Sequence, residues 1–375
     1  MSDARSRDRV AVDIPPLHDV RILLLEVGGS HSEVLLSWYR DLRALGAHVY
    51  VACPANMWKH LDLTDAAGWL ETGGQSGLNG HISTMLGVRR FVKTMNITHV
   101  ILNTATGTKV RDIALFLPKR CTVVGTLHNA EKLIRSFNQS VTTRNVDVYA
   151  VLGPHVADAI PPSCTVPVVV VPATAPDAQY AERARDKSRF SAEASSKPLR
   201  VVIAGGINWR RRDYDSLFAQ NGFERIGDNV QIVLAGGPDE EDKPRLKAML
   251  DMARRDMFEL HDGFIPHDTY ARIISESDIV LPLTHPSSRD YDRYVQYQIT
   301  GAMSNAWAYA KPLMLERGFA KHTSLASSIF YDVAALPDLI RRFAEDRTLL
   351  IPYAVTPDFA SDAVRQAAIV GVMRQ

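Results

Sequence analysis

Paired cysteines, long apolar runs and a surplus of one charge are all missing from this 375-residue chain. Its three cysteines, Cys53, Cys121 and Cys164, have neither disulfide-framework nor metal-ligand spacing. Cys53 and Cys121 adjoin apolar, strand-like runs where reduced thiols are commonly buried, so a cytoplasmic setting is expected. No window approaches the length of a membrane span, and the polar start, Met1 to Arg9, lacks the apolar stretch of a signal peptide. Peripheral contact with a membrane stays open. With 43 basic against 42 acidic residues, the chain has no broad field for a polyanion, which argues against nucleic acid as its main partner. A local phosphate site needs only a few donors and survives that exclusion.

Several motifs are absent as well. Neither G-x-G-x-x-G nor G-x-x-x-x-G-K follows the first strand-like run, which rules out the dinucleotide fingerprint and the ATPase phosphate loop. Gly-x-Ser-x-Gly is missing, so no hydrolase nucleophile elbow is expected. His261, His267 and His285 are spaced too irregularly for a zinc site. Asp290-Tyr291-Asp292 has a spacing that can hold a divalent cation on a strand, but the neighbouring tyrosines point to a helix, so no metal is expected.

What the chain does contain is one architecture written twice. Its length and 46% apolar content suit two domains. Val20–Val27 (VRILLLEV) is short and almost continuously apolar, as in a strand buried on both faces of a parallel sheet. Gly28-Gly29 then permits a tight turn. Ser30 and Glu33 have capping-box spacing, with Ser32 a competing cap. Val34, Leu35, Trp38, Leu42 and Leu45 repeat at helical spacing up to Gly46, and Ala47–Ala52 starts the next strand. Further strands are expected at 99–102, 121–126, 147–152 and 166–171, with an exposed loop over Thr72–Gly80. The stretch from Asp177 to Ser196, rich in alanine and charge, reads mainly as the connection, with room for a short helix. A second series follows, with strands at 199–204, 230–235, 258–261, 278–283 and 312–315. Helices are expected after Pro238, at Asp268–Glu276 with Asp268 as cap, and at Gly301–Ala310. The tail from Leu336 is helical in pattern and could return to brace the first domain. The expectation is an α/β chain of two Rossmann-like, doubly wound domains facing a central cleft: residues 18–175, a linker 176–197, residues 198–350, and a helical segment 351–375. Ligands should lie beyond the carboxyl ends of the strands.

The candidate residues cluster at those strand ends. Gly28 and Gly29 let backbone approach a phosphate before a helix start, although they could equally be a plain connecting turn. His31, on that turn, could serve as a general base or be an ordinary loop histidine. His128, after the strand ending at Thr126, has the same two readings. Gly205-Gly206 is followed by Arg210, Arg211 and Arg212. Guanidinium groups bind phosphate bidentately and stabilise a departing diphosphate, but a helix would aim only one or two of the three into a cleft. Otherwise they are a solvated helix start. Gly237 ends the second strand of this series. Phe264 and Ile265 could sandwich a nucleobase or plug the domain. Tyr297 and Gly301 stand where amides and hydroxyls could meet a diphosphate, and Asp290 could handle a proton.

These residues in this order resemble the two-domain B-type (GT-B) glycosyltransferases, in particular the group-1, glycogen-synthase-like branch. The resemblance spans nearly the whole chain and rests on arrangement more than on one motif. Gly28-Gly29 resembles the amino-terminal glycine loop, Leu127-His128-Asn129 a segment bordering the active cleft, and Arg210 to Arg212 the basic phosphate-binding stretch. It implies transfer of a sugar from a nucleoside-diphosphate sugar to an acceptor hydroxyl, in polysaccharide, glycolipid or natural-product glycoside synthesis, with no obligatory cofactor. The carboxyl-terminal domain would hold the donor. In that role Arg210 or Arg211 would stabilise the diphosphate, and His31, His128 or Asp290 would take the acceptor proton. One departure stands out. Retaining members carry two glutamates seven residues apart near the donor, and Thr284–Ala310 contains none. A nucleotide-sugar epimerase of the same shape, or a non-catalytic partner protein, therefore remains as an alternative.

Overall fold

The computed structural model describes residues 14–73, 77–191, 197–217, 221–253, 256–261, 263 and 265–374. The first lobe is built on β1 (Arg21–Leu25), β2 (His48–Cys53), β3 (Gly68–Glu71), β4 (His99–Leu102), β5 (Thr122–Leu127), β6 (Val148–Val151) and β7 (Val168–Val170). Their order is β3-β2-β1-β4-β5-β6-β7, and every ladder is parallel. β1 pairs on both sides, with Ile22 facing Val49 and His99. Ile22, Leu23 and Leu24 are fully buried, which is why this strand carries an unbroken apolar run rather than an alternating one. The helix Ser32–Ala44 buries Val34, Leu35, Trp38 and Leu42 against it. It stops at Gly46, whose φ of 82° suits glycine.

The second lobe repeats the plan with β8 (Leu199–Ala204), β9 (Val230–Ala235), β10 (Phe258–His261) and β11 (Ile279–Val280), in the order β10-β9-β8-β11. A parallel bridge from Val280 to Leu313 continues it to β12 (Met314–Glu316) and β13 (Ile329–Tyr331), themselves a parallel pair. The strand order reverses beside the first strand of each sheet, which leaves a crevice at the carboxyl edge. The molecule thus has two Rossmann-like lobes facing a cleft, as the sequence led one to expect.

Three junctions hold the lobes together. Arg40 of the first lobe donates to the Ala175 carbonyl at 3.2 Å and to Asp177 Oδ2 at 3.0 Å in the connection, and lies 3.3 Å from His267 Nε2 of the second lobe. Asn129 and Gln298 form an antiparallel bridge, beside which the Ala130 N–H donates to the Tyr297 carbonyl at 3.0 Å. The final helix, Asp362–Met373, returns to the first lobe. There its buried Arg365 donates to both Asp41 oxygens at 2.6 and 2.8 Å and to Thr174 Oγ1 at 2.9 Å.

Some local expectations change. The helix Gly77–Thr94 begins inside the segment read as an exposed loop, because glycine and asparagine there form its first turn. The connection holds a short helix, as the sequence allowed, at Ala178–Arg185, capped by Asp177. Asp268 does not cap its helix. It accepts instead from Gln179 Nε2 at 2.6 Å and from the Tyr180 hydroxyl at 2.9 Å, while Pro266 takes the cap position. Ser30 and Glu33 form no capping box, since the helix starts at Ser32 behind a left-handed His31. The strands β3 and β13 have no counterpart in the sequence reading.

Candidate functional site

A cleft of about 890 Å³ opens where the carboxyl ends of β1, β5, β8 and β9 meet the segment 298–305. Both lobes line it. The helix Ser32–Ala44 starts at the cleft from one side, and the helix Gly301–Ala308 from the other.

The first-lobe wall is organised around Glu26, a carboxylate that directly follows an apolar strand and is 1% exposed. Its oxygens accept from the Gly28 N–H at 2.6 Å, from Asn103 Nδ2 at 2.9 Å and from Thr104 Oγ1 at 2.7 Å. Three donors satisfy the carboxylate and fix the turn over it. Asn103 also donates to the His31 carbonyl at 3.1 Å. That bond steadies His31 at φ 59° and ψ 42°, a left-handed conformation that a non-glycine residue adopts only when its surroundings hold it there. No side chain caps this helix; the His31 carbonyl accepts the Val34 and Leu35 N–H groups at 3.1 and 3.2 Å.

The His31 ring stacks on His128, with centroids 3.7 Å apart and planes at 21°. Its Nδ1 lies 3.6 Å from Glu33 Oε1. Burial disfavours the charged ring, but Glu33, aided by Glu26, outweighs it and raises His31 above its ordinary pKa, against the opposing charge of Arg211. Cleft desolvation works against ionised Glu33 in turn, yet the His31 contact keeps its carboxyl below the usual range. His128 behaves oppositely. Burial, with the His31 charge beside it, pushes it down to about 4. Its Nε2 lies 2.7 Å from the Asn103 carbonyl. A carbonyl only accepts, so the Nε2 of this neutral ring carries the proton. The two stacked rings therefore differ: His128 is held neutral, and His31 is the more basic of the pair.

On the second-lobe wall the turns after β8 and β9 nearly touch. A Cβ on Gly236 would lie 2.6 Å from the Gly205 carbonyl carbon, so only glycine permits the approach. Arg212 spans this turn and donates to the carbonyls of Ala204, Gly205 and Gly206. It is the member of the arginine run spent on structure. Arg210 and Arg211 are exposed in the cleft and make no side-chain hydrogen bond or ion pair among the described residues. Their loop is held from behind by Asp213, which meets His285 Nδ1 at 3.2 Å and accepts from Ser287 Oγ at 2.7 Å. The fully buried His285 reaches the Tyr331 hydroxyl at 2.7 Å through Nε2. Opposite, Thr300 caps the helix Gly301–Ala308 by accepting the Met303 N–H at 3.3 Å. The amides of Gly301 and Ala302 precede that bond and face the cavity with the positive end of the helix dipole.

The structure brings together His31, His128, Gly29, Gly205, Gly206, Arg210, Arg211, Gly237, Ile265 and Gly301, all of which line the cleft. Three sequence candidates stand apart. Gly28 lies behind the lining with its N–H spent on Glu26. Asp290 is the residue before the helix Tyr291–Gln296 and pairs with Arg293 Nη1 at 2.8 Å, so its carboxylate is engaged outside the cavity. Tyr297 ends that helix and gives its carbonyl to Ala130, while Tyr294 and Gln298 reach the cleft instead. Phe264 lies outside the described residues. Among those described, the acidic trio close enough to share a cation is Asp239, Glu241 and Asp242. Asp239 accepts from Asn208 Nδ2, and Asp242 from the Trp209 N–H at 3.3 Å. Sequence reasoning passed over Glu26, Asn103 and Thr300, and read Glu33 only as half of a capping box. A carboxylate beside an otherwise apolar strand, needing several donors, was the signal for Glu26.

The cleft thus presents the guanidinium groups of Arg210 and Arg211 and the N-terminus of the helix Gly301–Ala308 to an anion, opposite the His31–Glu33 pair. Solved structures of similar fold include a glycosyltransferase from Rickettsia africae, at 11% identity and a TM-score of 0.58 over 94% of this chain and 95% of that one. The UDP-GlcNAc 2-epimerase of Neisseria meningitidis, bound to UDP-GlcNAc, matches at 9% and 0.55, over 94% and 98%. Anabaena HepE, in complex with UDP and glucose, matches at 14% and 0.54, over 94% and 95%. No family model matches the sequence, and no curated protein does. The fold is the GT-B-like, two-lobed Rossmann arrangement.

Proposed function

We propose that the cleft binds a nucleoside-diphosphate sugar and transfers its sugar to an acceptor hydroxyl. The observation that carries this reading is the convergence of Arg210, Arg211 and the Gly301–Ala302 amides on one cavity wall, with His31 on the other. The acceptor oxygen attacks the anomeric carbon as the bond to the diphosphate breaks. Negative charge grows on the departing diphosphate, and guanidinium groups and amides already in place stabilise that charge more than the ground state. His31 Nε2 takes the acceptor proton, while Nδ1 faces Glu33. With a base on the acceptor and no glutamate between Thr284 and Ala310, a single displacement with inversion is the reading the residues favour. The ligands named for HepE and the Neisseria epimerase lend support to the nucleotide-sugar class.

Epimerisation of the donor is the second reading, favoured by the nearly equal likeness to an epimerase. Incubation with UDP-, GDP- and TDP-sugars and candidate acceptors separates the two. Glycoside product of inverted configuration supports transfer, whereas an epimerised donor without acceptor consumption overturns it.

A further inference from the structure

The overall charge balance conceals a strong local imbalance. Between Gly77 and Asp147 the sequence carries ten Lys or Arg against three Asp or Glu. The acidic three are already occupied. Asp112 pairs with Arg111 and His81, Glu131 with Arg135 and Arg293, and Asp147 accepts the Val123 N–H at 2.7 Å. Arg90, Lys93, Lys109, Lys119, Arg120, Lys132 and Arg144 are exposed.

The same stretch exposes large apolar side chains. Leu78, Ile82 and Leu86 recur every four residues along the helix Gly77–Thr94, so they form one stripe. Leu115 and Phe116 end the helix Thr108–Phe116, and Ile134 and Phe137 sit on the two short helices after β5. Phe137 is 80% and Leu78 74% exposed. These helices are neighbours. β3, β4, β5 and β6 are linked in sequence across the sheet in one direction, and right-handed crossovers put all their helices on one face. Arg89 donates to the Phe116 carbonyl at 3.1 Å, and Arg111 to Asn138 Oδ1 at 2.5 Å, which ties the layer together. Leu78, Ile134 and Phe137 lie near helix starts, at the carboxyl edge of the sheet where the cleft opens.

We infer that this face of the first lobe docks on the surface of an anionic lipid bilayer. Exposed aliphatic and aromatic side chains within a basic surround match an interface with an apolar interior and negatively charged headgroups. Both features coincide over four helices, a breadth that suits a lipid surface. Single-stranded nucleic acid would use the charge, but it needs aromatic platforms for its bases, and the patch is chiefly Leu and Ile. No helix among the described residues is long and apolar enough to cross a membrane, so the contact is peripheral.

Vesicle sedimentation of the full chain tests this without requiring turnover, and so separately from the transferase reading. Phosphatidylcholine vesicles are compared with vesicles containing about one-third phosphatidylglycerol, at low and high salt. The chain should partition onto the anionic vesicles, release as salt screens the charges, and ignore the neutral ones. The double variant Leu78→Ser/Phe137→Ser should partition at least about tenfold less while keeping its thermal melting, since both side chains are already exposed. Equal binding to neutral and anionic vesicles overturns the inference, as does no binding to either. Dimerisation abolished by the same variant, without vesicle binding, would assign the face to a second copy of the chain and would equally overturn it.

Discussion

His31 is held between opposing influences: burial disfavours its charged form, Glu33 at its Nδ1 and Glu26 behind it favour it, and Arg211 across the cleft opposes it weakly. The carboxylates win, so its pKa lies above the ordinary histidine value. A base works in its deprotonated form, so kcat/KM should fall as pH drops through that raised pKa. Removing the Glu33 charge with Glu33→Gln removes the largest raising influence, and the acid limb of the pH–rate profile should move to lower pH. His31→Ala should lower kcat by about 10²–10⁴-fold with nucleotide binding retained. An acid limb that stays in place in Glu33→Gln would show that another group takes the proton. His128 is a poor stand-in, because burial and the His31 charge lower its pKa to about 4, which makes it a weak base, and its Nε2 proton is committed to the Asn103 carbonyl.

At the scale of elements, what was legible in the sequence was whatever repeats or interrupts it. Buried parallel strands announce themselves as unbroken apolar runs, and β1, β8 and β9 were found that way. Glycine pairs at their ends marked the turns, and three arginines after one of them marked the charged wall. What was illegible depended on contacts distant in the chain. β3 is a four-residue edge strand with alternating exposure, and β13 has three residues. Neither is long enough to show a period. Asp290 looked available because nothing in sequence says that Arg293, one turn on, claims it. The division of labour within the arginine run was equally hidden. Only the fold shows that Arg212 is aimed back at three strand-end carbonyls, leaving Arg210 and Arg211 to the cavity. Glu26 was missed because a strand-end carboxylate acquires its meaning from Asn103 and Thr104, over seventy residues away.

For the whole molecule, cleft geometry depends on how the chain end ties the lobes. The helix Asp362–Met373 follows the second lobe in sequence but is anchored to the first by Arg365 and Asp41, whose side chains are 2% and 4% exposed. Arg365→Ala strands the Asp41 carboxylate in the interior and should cost about 3–5 kcal/mol of stability in urea unfolding. The double change Arg365→Met/Asp41→Leu, which removes both charges, should recover much of that loss. A single change without effect would mean that the final helix does not brace the lobes. The measurement nearest to the central claim is calorimetric titration of UDP, GDP and TDP into the wild-type chain and into Arg210→Ala/Arg211→Ala. One nucleotide should bind the wild type, and its Kd should rise at least about tenfold in the variant, since each charge-assisted contact is worth about 1.5–3 kcal/mol. An unchanged Kd, or no binding of any nucleotide to the wild type, would contradict a diphosphate held between those guanidinium groups and the Gly301 amide.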